Sequence, residues 1–413
     1  MDTSDSIGVV LIVRFLVLPV VGLLLALFLR SRAKRINSST QITHTVGDRL
    51  EIAVAAAGPR RYSYDELVAA TRDFAEEEKL GRGGFGSVYR GRLPVVPGGD
   101  VDGGGGQQVA IKFLSESSSQ GRKEFEAEVR IITRLRHRNL VQLLGWCDCP
   151  RGLMLVYELV PGGSLEKHIY DNQRLLTWSE RYKIIIGLGS ALRYLHQEWE
   201  QCVLHGDIKP SNIMVDSSYN TKLGDFGLAR LVNHGERWKT TTAVQGTAGY
   251  IDPEFINTQR PSTESDVYSF GIVLLETACA KPPVVLHEDE PSFVLLRWVW
   301  SLYNQNTILD AADERLRGVV RDERQMERVL VVGLWCAHPD LSERPSIARA
   351  MNVLQSDDVR LPDLSPQMYK SKASPSPREV AMGSVSTGST FSGSGVPTSA
   401  TTTTTRSSGS FVC

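Results

Sequence analysis

The pattern of apolar and polar positions divides the chain into stretches of different character. From Ile7 to Leu29 it is almost wholly apolar, with Arg14 and Pro19 as the interruptions. These 23 residues exceed the ~20 that a helix needs to cross a bilayer core. An arginine a third of the way in can snorkel toward the headgroups, and membrane helices tolerate proline better than soluble ones do. The flanks are asymmetric: Met1 to Ser6 carries Asp2 and Asp5 and no base, whereas Arg30, Arg32, Lys34 and Arg35 follow the run at once. A cleaved signal peptide begins with a basic region, so an anchor fits better. The positive-inside rule then places everything after residue 30 in the cytosol. The expectation is a single-pass plasma-membrane protein with residues 1–6 outside, 7–29 spanning, and no ligand-binding ectodomain, since six residues cannot fold.

Residues 30–73 read as a juxtamembrane linker, polar and basic at first and punctuated by Gly58-Pro59. Between about 78 and 158, short β-branched and aromatic runs are broken by one helical pattern, and from about 164 to 357 longer helical patterns dominate. This predicts an α+β protein with a small mostly-β lobe before a larger helical one, together spanning 74–357. Pro94 to Gln108, with glycines at 103 to 106, reads as a surface hairpin insertion rather than a phosphate cradle. Residues 358–413 become rich in Ser, Thr, Gly and Pro and predict a disordered tail.

Charge and cysteine content narrow the function classes. Basic and acidic residues number 46 and 47, a formal net charge of −1, which gives no overall reason to bind nucleic acid. The six cysteines lack paired spacings, so neither a disulfide framework nor a zinc site is indicated.

Four short motifs carry the chemistry. Gly81-Arg82-Gly83-Gly84-Phe85-Gly86-Ser87-Val88 puts glycines where a backbone must approach phosphate oxygens. The same spacing can open a dinucleotide-binding helix, but here Val88-Tyr89-Arg90 continues as a strand, which favours a loop over nucleotide phosphates. Val109-Ala110-Ile111-Lys112 is an apolar strand ending in a lysine that needs an anionic partner. Glu128 is a candidate, since it shares a helical stripe with Phe125, Val129, Ile132 and Leu135; taken alone, the two would read as an ordinary lysine and glutamate.

His205-Gly206-Asp207-Ile208-Lys209-Pro210-Ser211-Asn212 is a polar loop between the apolar runs Val203-Leu204 and Ile213-Met214-Val215. Phosphoryl transfer to a hydroxyl needs a carboxylate to accept a proton, a cation for the phosphate and oxygen ligands for magnesium; Asp207, Lys209 and Asn212 fit in that order. Asp225-Phe226-Gly227 adds a second carboxylate beside a glycine that permits a sharp turn.

With these motifs in this order, the region from about 74 to 357 resembles a eukaryotic protein kinase domain. Tyr62-Ser63-Tyr64-Asp65-Glu66-Leu67, Gln120-Gly121-Arg122-Lys123-Glu124-Phe125 and Gly163-Ser164-Leu165 resemble plant receptor-like kinases, in particular the L-type lectin receptor kinases. The resemblance implies a bilobal kinase fold and use of ATP and Mg2+. It implies Lys112 on the α and β phosphates with Glu128 as helix partner, Asp207 as catalytic base, Lys209 beside it, and Asn212 and Asp225 on magnesium. The loop Gly81 to Val88, Ala110, the gatekeeper Tyr157, and the hinge from Glu158 to Val160 would surround the nucleotide.

Asp252-Pro253-Glu254 stands where the family usually has Ala-Pro-Glu, and the resemblance implies that Arg344 pairs with Glu254. Asp266 matches the aspartate that braces the catalytic loop. Lys209 together with Thr247 resembles serine/threonine kinases, so protein substrates with Ser or Thr acceptors are expected. The departure is Gly206, where most such kinases carry arginine. An arginine there would read a phosphorylated activation loop, so phosphorylation at Thr240, Thr241 or Thr242 is expected to have a weak effect. The competing functions are a pseudokinase scaffold, against which the complete set of lysine, base and metal ligands speaks, and a truncated receptor that partners longer receptor kinases.

Overall fold

The strand pattern between Lys79 and Glu158 resolves into five strands, which a short strand at Arg60–Arg61 joins to give one six-stranded sheet of order β1-β5-β6-β4-β3-β2. Its strands are β1 (Arg60–Arg61), β2 (Lys79–Gly83), β3 (Gly86–Leu93), β4 (Gln107–Leu114), β5 (Leu143–Cys149) and β6 (Gly152–Glu158). The computed structural model describes residues 58–83, 86–94, 106–114, 119–232, 244–286, 292–316, 318 and 322–364. The apolar run 7–29, Gly84, Phe85, Thr240 to Thr242 and the tail from 365 onward lie outside these residues. Among the described residues no helix is long and apolar enough to cross a membrane.

The central strand β4 is buried on both faces from Val109 to Lys112, which explains its unbroken apolar run. One face of the sheet packs a cluster of Leu93, Val109, Ile111, Cys147, Met154 and Val156 under Leu67. Leu67 lies on α1 (Tyr64–Ala70), whose start is fixed by a capping box. Ser63 Oγ accepts from the Glu66 N–H at 3.2 Å, and Glu66 Oε2 accepts from the Ser63 N–H at 2.7 Å. Residues 60–73, within the stretch read as a linker, thus form a strand and a helix that complete the small lobe. Helix α2 (Ser119–Ile132) packs against β4 and β6. Phe125, Glu128, Val129, Ile132 and Leu135 are all buried, as the helical stripe predicts.

The larger lobe is built from α3 (Leu165–Ile169), α4 (Trp178–Arg193), α5 (Pro253–Thr258), α6 (Thr263–Cys279), α7 (Leu295–Asn304), α8 (Glu323–Cys336) and α9 (Ile347–Gln355). Its hub is α6, buried at every residue from Asp266 to Cys279. It packs against α8, where a Cβ on Gly271 would fall 2.7 Å from the Gly333 carbonyl oxygen. Only a residue without a side chain lets the two helices approach this closely. After α9 the chain does not leave the lobe at once: Arg328 Nη1 donates to the Val359 carbonyl at 2.8 Å, and Leu364 is buried. The start of the stretch read as a tail is therefore packed.

Candidate active site

Two small antiparallel ribbons hold the polar loops. Strand β7 (Cys202–Leu204) pairs with β10 (Arg230–Val232), and β8 (Ile213–Val215) pairs with β9 (Thr221–Leu223). The loop 205–212 runs from the first ribbon to the second, and the loop 224–229 returns. Cross-links join them: the Gly224 N–H donates to the Asn212 carbonyl at 2.9 Å, and His205 Nε2 bonds the Gly224 carbonyl at 3.0 Å. The Phe226 ring meets His205 edge-on at 4.9 Å between centroids. Asp207 and Asp225, 18 residues apart in sequence, are thereby carried on two cross-linked loops.

Asp207 sits in a closed set of polar contacts. Its Oδ1 accepts from the Thr247 hydroxyl at 2.7 Å, and its Oδ2 meets Lys209 Nζ at 2.8 Å. Lys209 also donates to Thr247 Oγ1 at 2.7 Å. Asn212 Nδ2 donates to the Asp207 carbonyl at 2.9 Å and to Oδ2 at 3.2 Å, which turns the amide oxygen of Asn212 away from Asp207.

The loop itself is braced from beneath by Asp266 on α6. Its carboxylate accepts from the His205 N–H at 2.8 Å, the Gly206 N–H at 2.9 Å and His196 at 2.9 Å. Burial disfavours this charge, but the His196 contact, His205 and the Gly206 amide outweigh it and hold the Asp266 pKa below its usual value. Gly206 has φ +81°, a left-handed conformation that costs glycine little.

Lys112 is 3% exposed and lies between two carboxylates, 2.7 Å from Asp225 Oδ1 and 3.3 Å from Glu128 Oε2. Burial raises the cost of the Asp225 charge, yet Lys112, Lys209 and His205 hold its pKa below the usual range. Glu128 is tied on its other oxygen by the Tyr157 hydroxyl and by the Phe226 N–H at 3.1 Å. Four residues earlier on α2, Glu124 is also buried and accepts from Gln120 at 3.0 Å; burial pushes its pKa up to about 7.

Around this centre, Ala110 pairs in register with Arg90 on one side and Tyr157 on the other. Glu158 is committed by its side chain to Lys222 at 2.8 Å and by its N–H to the Gln142 carbonyl at 3.0 Å. The Val160 carbonyl accepts from Gly163 at 3.2 Å, while its N–H has no partner among the described residues. Strands β2 and β3 form a hairpin with Arg82 opposite Ser87 and Gly83 opposite Gly86; Gly81 and Val88 pair below them. The tip, Gly84 and Phe85, lies outside the described residues.

One implied pairing is corrected. Arg344 does not bond Glu254; its Nη2 meets Asp252 Oδ1 at 2.8 Å, and both side chains are at most 1% exposed. Asp252 precedes Pro253, the first residue of α5, and acts as its N-cap by accepting from the Glu254 N–H at 2.9 Å. Its other oxygen accepts from the Ser265 hydroxyl at 2.9 Å. A capping carboxylate is turned back into the fold, whereas Glu254 in the first turn stays partly exposed. The roles of Tyr157 and His196 as donors to buried carboxylates also escape sequence reasoning, because neither partner is near in sequence.

A family model described as protein kinase domain matches residues 74–355, more than half of the chain. Among curated relatives, the L-type lectin-domain containing receptor kinase IX.1 of Arabidopsis thaliana is 47% identical over 79% of this chain and 48% of its own length. IX.2 of the same species is 49% identical over 75% and 45%. SIT2 of Oryza sativa subsp. japonica is 46% identical over 75% and 44%. The chain thus spans about half the length of these relatives. With a six-stranded lobe before a helical one, a buried lysine between two carboxylates and this match in agreement, the chain belongs to the protein kinase domain family and is similar there to plant L-type lectin receptor kinases.

Proposed function

We propose that the chain is a membrane-anchored serine/threonine protein kinase, which moves the γ-phosphate of ATP to hydroxyls of protein substrates. The observation that carries this reading is the juxtaposition of Asp207, Lys209 and Thr247 with a buried Lys112 held between Glu128 and Asp225. The residues present suit the nucleotide and its metal. Asp225 and the amide oxygen of Asn212 are hard oxygen donors, and magnesium takes only one or two of these beside phosphate and water. The unpartnered Val160 N–H, at the end of an apolar strand, suits the edge of an adenine.

Magnesium-ATP, with Asn212 and Asp225 on the metal and Lys112 on the phosphates, would supply the phosphoryl group and neutralise its charge. Glu128 keeps Lys112 oriented. Asp207 accepts the proton of the attacking hydroxyl, and Thr247 and Lys209 hold its carboxylate in place while Lys209 adds positive charge where the phosphate passes. The strands carrying Gly81, Arg82, Ser87 and Val88, with Ala110 and Tyr157, would shield the bound nucleotide from water.

The apolar run 7–29 and the bases after it support an anchor with the kinase in the cytosol and other receptor kinases as partners. The enzymatic test is phosphate transfer to protein substrates from labelled ATP by the purified chain. Asp207→Ala should abolish it; equal labelling by Asp207→Ala and the unaltered chain would reduce the protein to a scaffold. Labelling of tyrosine alone would refute the acceptor class. Protease treatment of intact microsomes tests the anchor: a protected C-terminal tag contradicts the orientation.

A further inference from the structure

Glu276, near the end of α6, is a buried carboxylate that meets no base among the described residues. It is 1% exposed, and its two oxygens accept from the Tyr170 and Tyr250 hydroxyls, the second at 2.6 Å. Asp252, Asp266 and Asp313, buried in the same lobe, each lie against a basic side chain: Arg344, His196 and Arg181. The bases packed on this part of the fold are already committed. Arg181 on α4 donates to the Thr277 carbonyl at 2.9 Å but pairs with Asp313, as Arg315 does at 2.9 Å, and Lys281 lies over the Trp298 ring at 5.5 Å. What acts on Glu276 instead is a second acid, Glu166 on α3, while Cys279 on α6 faces Tyr170. The Glu166 carboxylate has no hydrogen bond or ion pair among the described residues, and its Oε2 is enclosed without a partner. Two like charges enclosed together are costly, and an acceptor without a donor adds to that cost. One proton removes both faults, since it neutralises Glu276 and supplies a donor for Glu166 Oε2. Burial, with the Glu166 charge added, pushes the Glu276 pKa up to about 7 against the pull of the two tyrosine hydroxyls.

These groups lie under the segment that carries Thr247. The Tyr250 N–H donates to the Thr247 carbonyl at 3.0 Å, and the Tyr250 carbonyl accepts from the Ser269 hydroxyl on α6 at 2.7 Å. Tyr250 is thus pinned to α6 at both ends, by Ser269 and by Glu276, and Thr247 three residues before it bonds Asp207. Tyr170 directly follows α3 and is 38% exposed, which brings the same carboxylate within reach of the surface. Through Glu276 alone, α3 and the segment 246–250 are tied together by side chains.

Resting on the kinase function proposed above, we infer that Glu276 and Glu166 share one proton, and that this proton keeps α3 and the segment 246–250 together as a surface for the protein substrate. Glu166, Tyr170 and Glu276 are positioning residues, acting on the substrate through Tyr250 and Thr247. Loss of the proton leaves two negative charges together with no base to meet them and drives α3 from the segment. The protonated form prevails below the raised pKa, so protein substrate binds well at low pH and more weakly as pH rises through about 7.

The test measures initial rates of the purified full chain on a peptide with one serine, blocked ends and neither histidine nor phosphate, so that the peptide itself does not titrate. KM for the peptide should rise about threefold or more between about pH 6 and 8, with KM for ATP unchanged. Glu124 also titrates near 7, so the rise should persist in Glu124→Gln. In Glu166→Gln and Glu276→Gln, which remove the repulsion, it should shrink below about 1.5-fold. In Tyr170→Phe, which takes a donor from the ionised carboxylate, its midpoint should move to higher pH, a shift that a merely structural role would not produce. No rise in the parent, an equal rise in KM for ATP, or a rise that survives Glu166→Gln overturns the inference. Glu166 is partly exposed, so Glu166→Gln decides if Glu276→Gln fails to fold. A chain that transfers no phosphate refutes the kinase reading instead. The shared proton is then judged by infrared difference spectra between about pH 6 and 8. A protonated-carboxyl band that disappears as pH rises and is altered in Glu166→Gln supports it, and identical spectra for parent and variant overturn it.

Discussion

Removing the carboxylate of Asp252 should be far more damaging than removing that of Glu254, the reverse of what the resemblance to Ala-Pro-Glu kinases implies. In Asp252→Ala the Arg344 guanidinium keeps its bonds to the His338 carbonyl at 2.8 Å and the Glu264 carbonyl at 3.1 Å but loses its one counter-charge among the described residues. It cannot turn to solvent, since it is 1% exposed. Stranding one member of a buried ion pair costs about 3–5 kcal/mol. The cap of α5 and the Ser265 bond are lost as well.

For a domain of this size each kcal/mol lowers Tm by roughly 2–4 °C, so thermal unfolding of Asp252→Ala should begin roughly 6–20 °C lower. Glu254→Ala removes a partly exposed carboxylate with no ion pair among the described residues and should stay within about 0.5 kcal/mol of the parent. Asp252→Ala with Arg344→Met should be less unstable than the sum of the single changes, because each alone leaves a buried group unpaired. The assay is Tm by calorimetry, with phosphate transfer measured below the transition. A larger loss from Glu254→Ala than from Asp252→Ala would refute the placement of this ion pair.

Three further outcomes follow from the site. Tyr157→Phe removes a donor to a fully buried Glu128 and should cost about 1–3 kcal/mol of stability with a raised KM for ATP; unchanged values in both would show that this hydroxyl does not hold the α2 carboxylate. Glu124, raised to about 7 by burial, is protonated in the folded chain where the unfolded chain has already lost its proton. Its contribution is therefore favourable at low pH and declines as pH rises from the unfolded carboxylate range to about 7, so Glu124→Gln should flatten the fall of Tm across that window. A profile parallel to the parent would contradict this. Alanine at Thr240, Thr241 and Thr242 together should change the rate of transfer by less than about twofold, since Gly206 offers no cation to a phosphorylated loop; a tenfold loss would show another reader.

The small lobe was legible because its signals are local. The run Val109 to Ile111 before Lys112 is apolar without interruption since both faces of the sheet are covered there, and Glu128 falls on a stripe whose period only a helix explains. The catalytic loop was legible for a similar reason, since Asp207, Lys209 and Asn212 must follow one another closely to meet around one reacting hydroxyl. By contrast, the helix α1 inside the stretch read as linker was missed, although Ser63 and Glu66 stand at the spacing of a capping box. Gly58-Pro59 signals a break in the chain, and a helix of seven residues gives too short a period to compete with that signal.

By itself, the order and spacing of side chains determined which chemistries the chain can perform: a buried lysine, two carboxylates, an amide oxygen and glycines for phosphate. Which groups meet was decided by tertiary structure. Asp252 and Glu254 carry the same charge two residues apart, and nothing local says which one Arg344 takes; the start of α5 turns one inward and leaves the other outward. Glu128 and Tyr157 are 29 residues apart, and Asp266 lies 61 residues beyond His205. Periodicity assigns a side chain to a face, but a hydrogen bond needs its partner within about 3 Å, and only packing of whole elements fixes a distance so short.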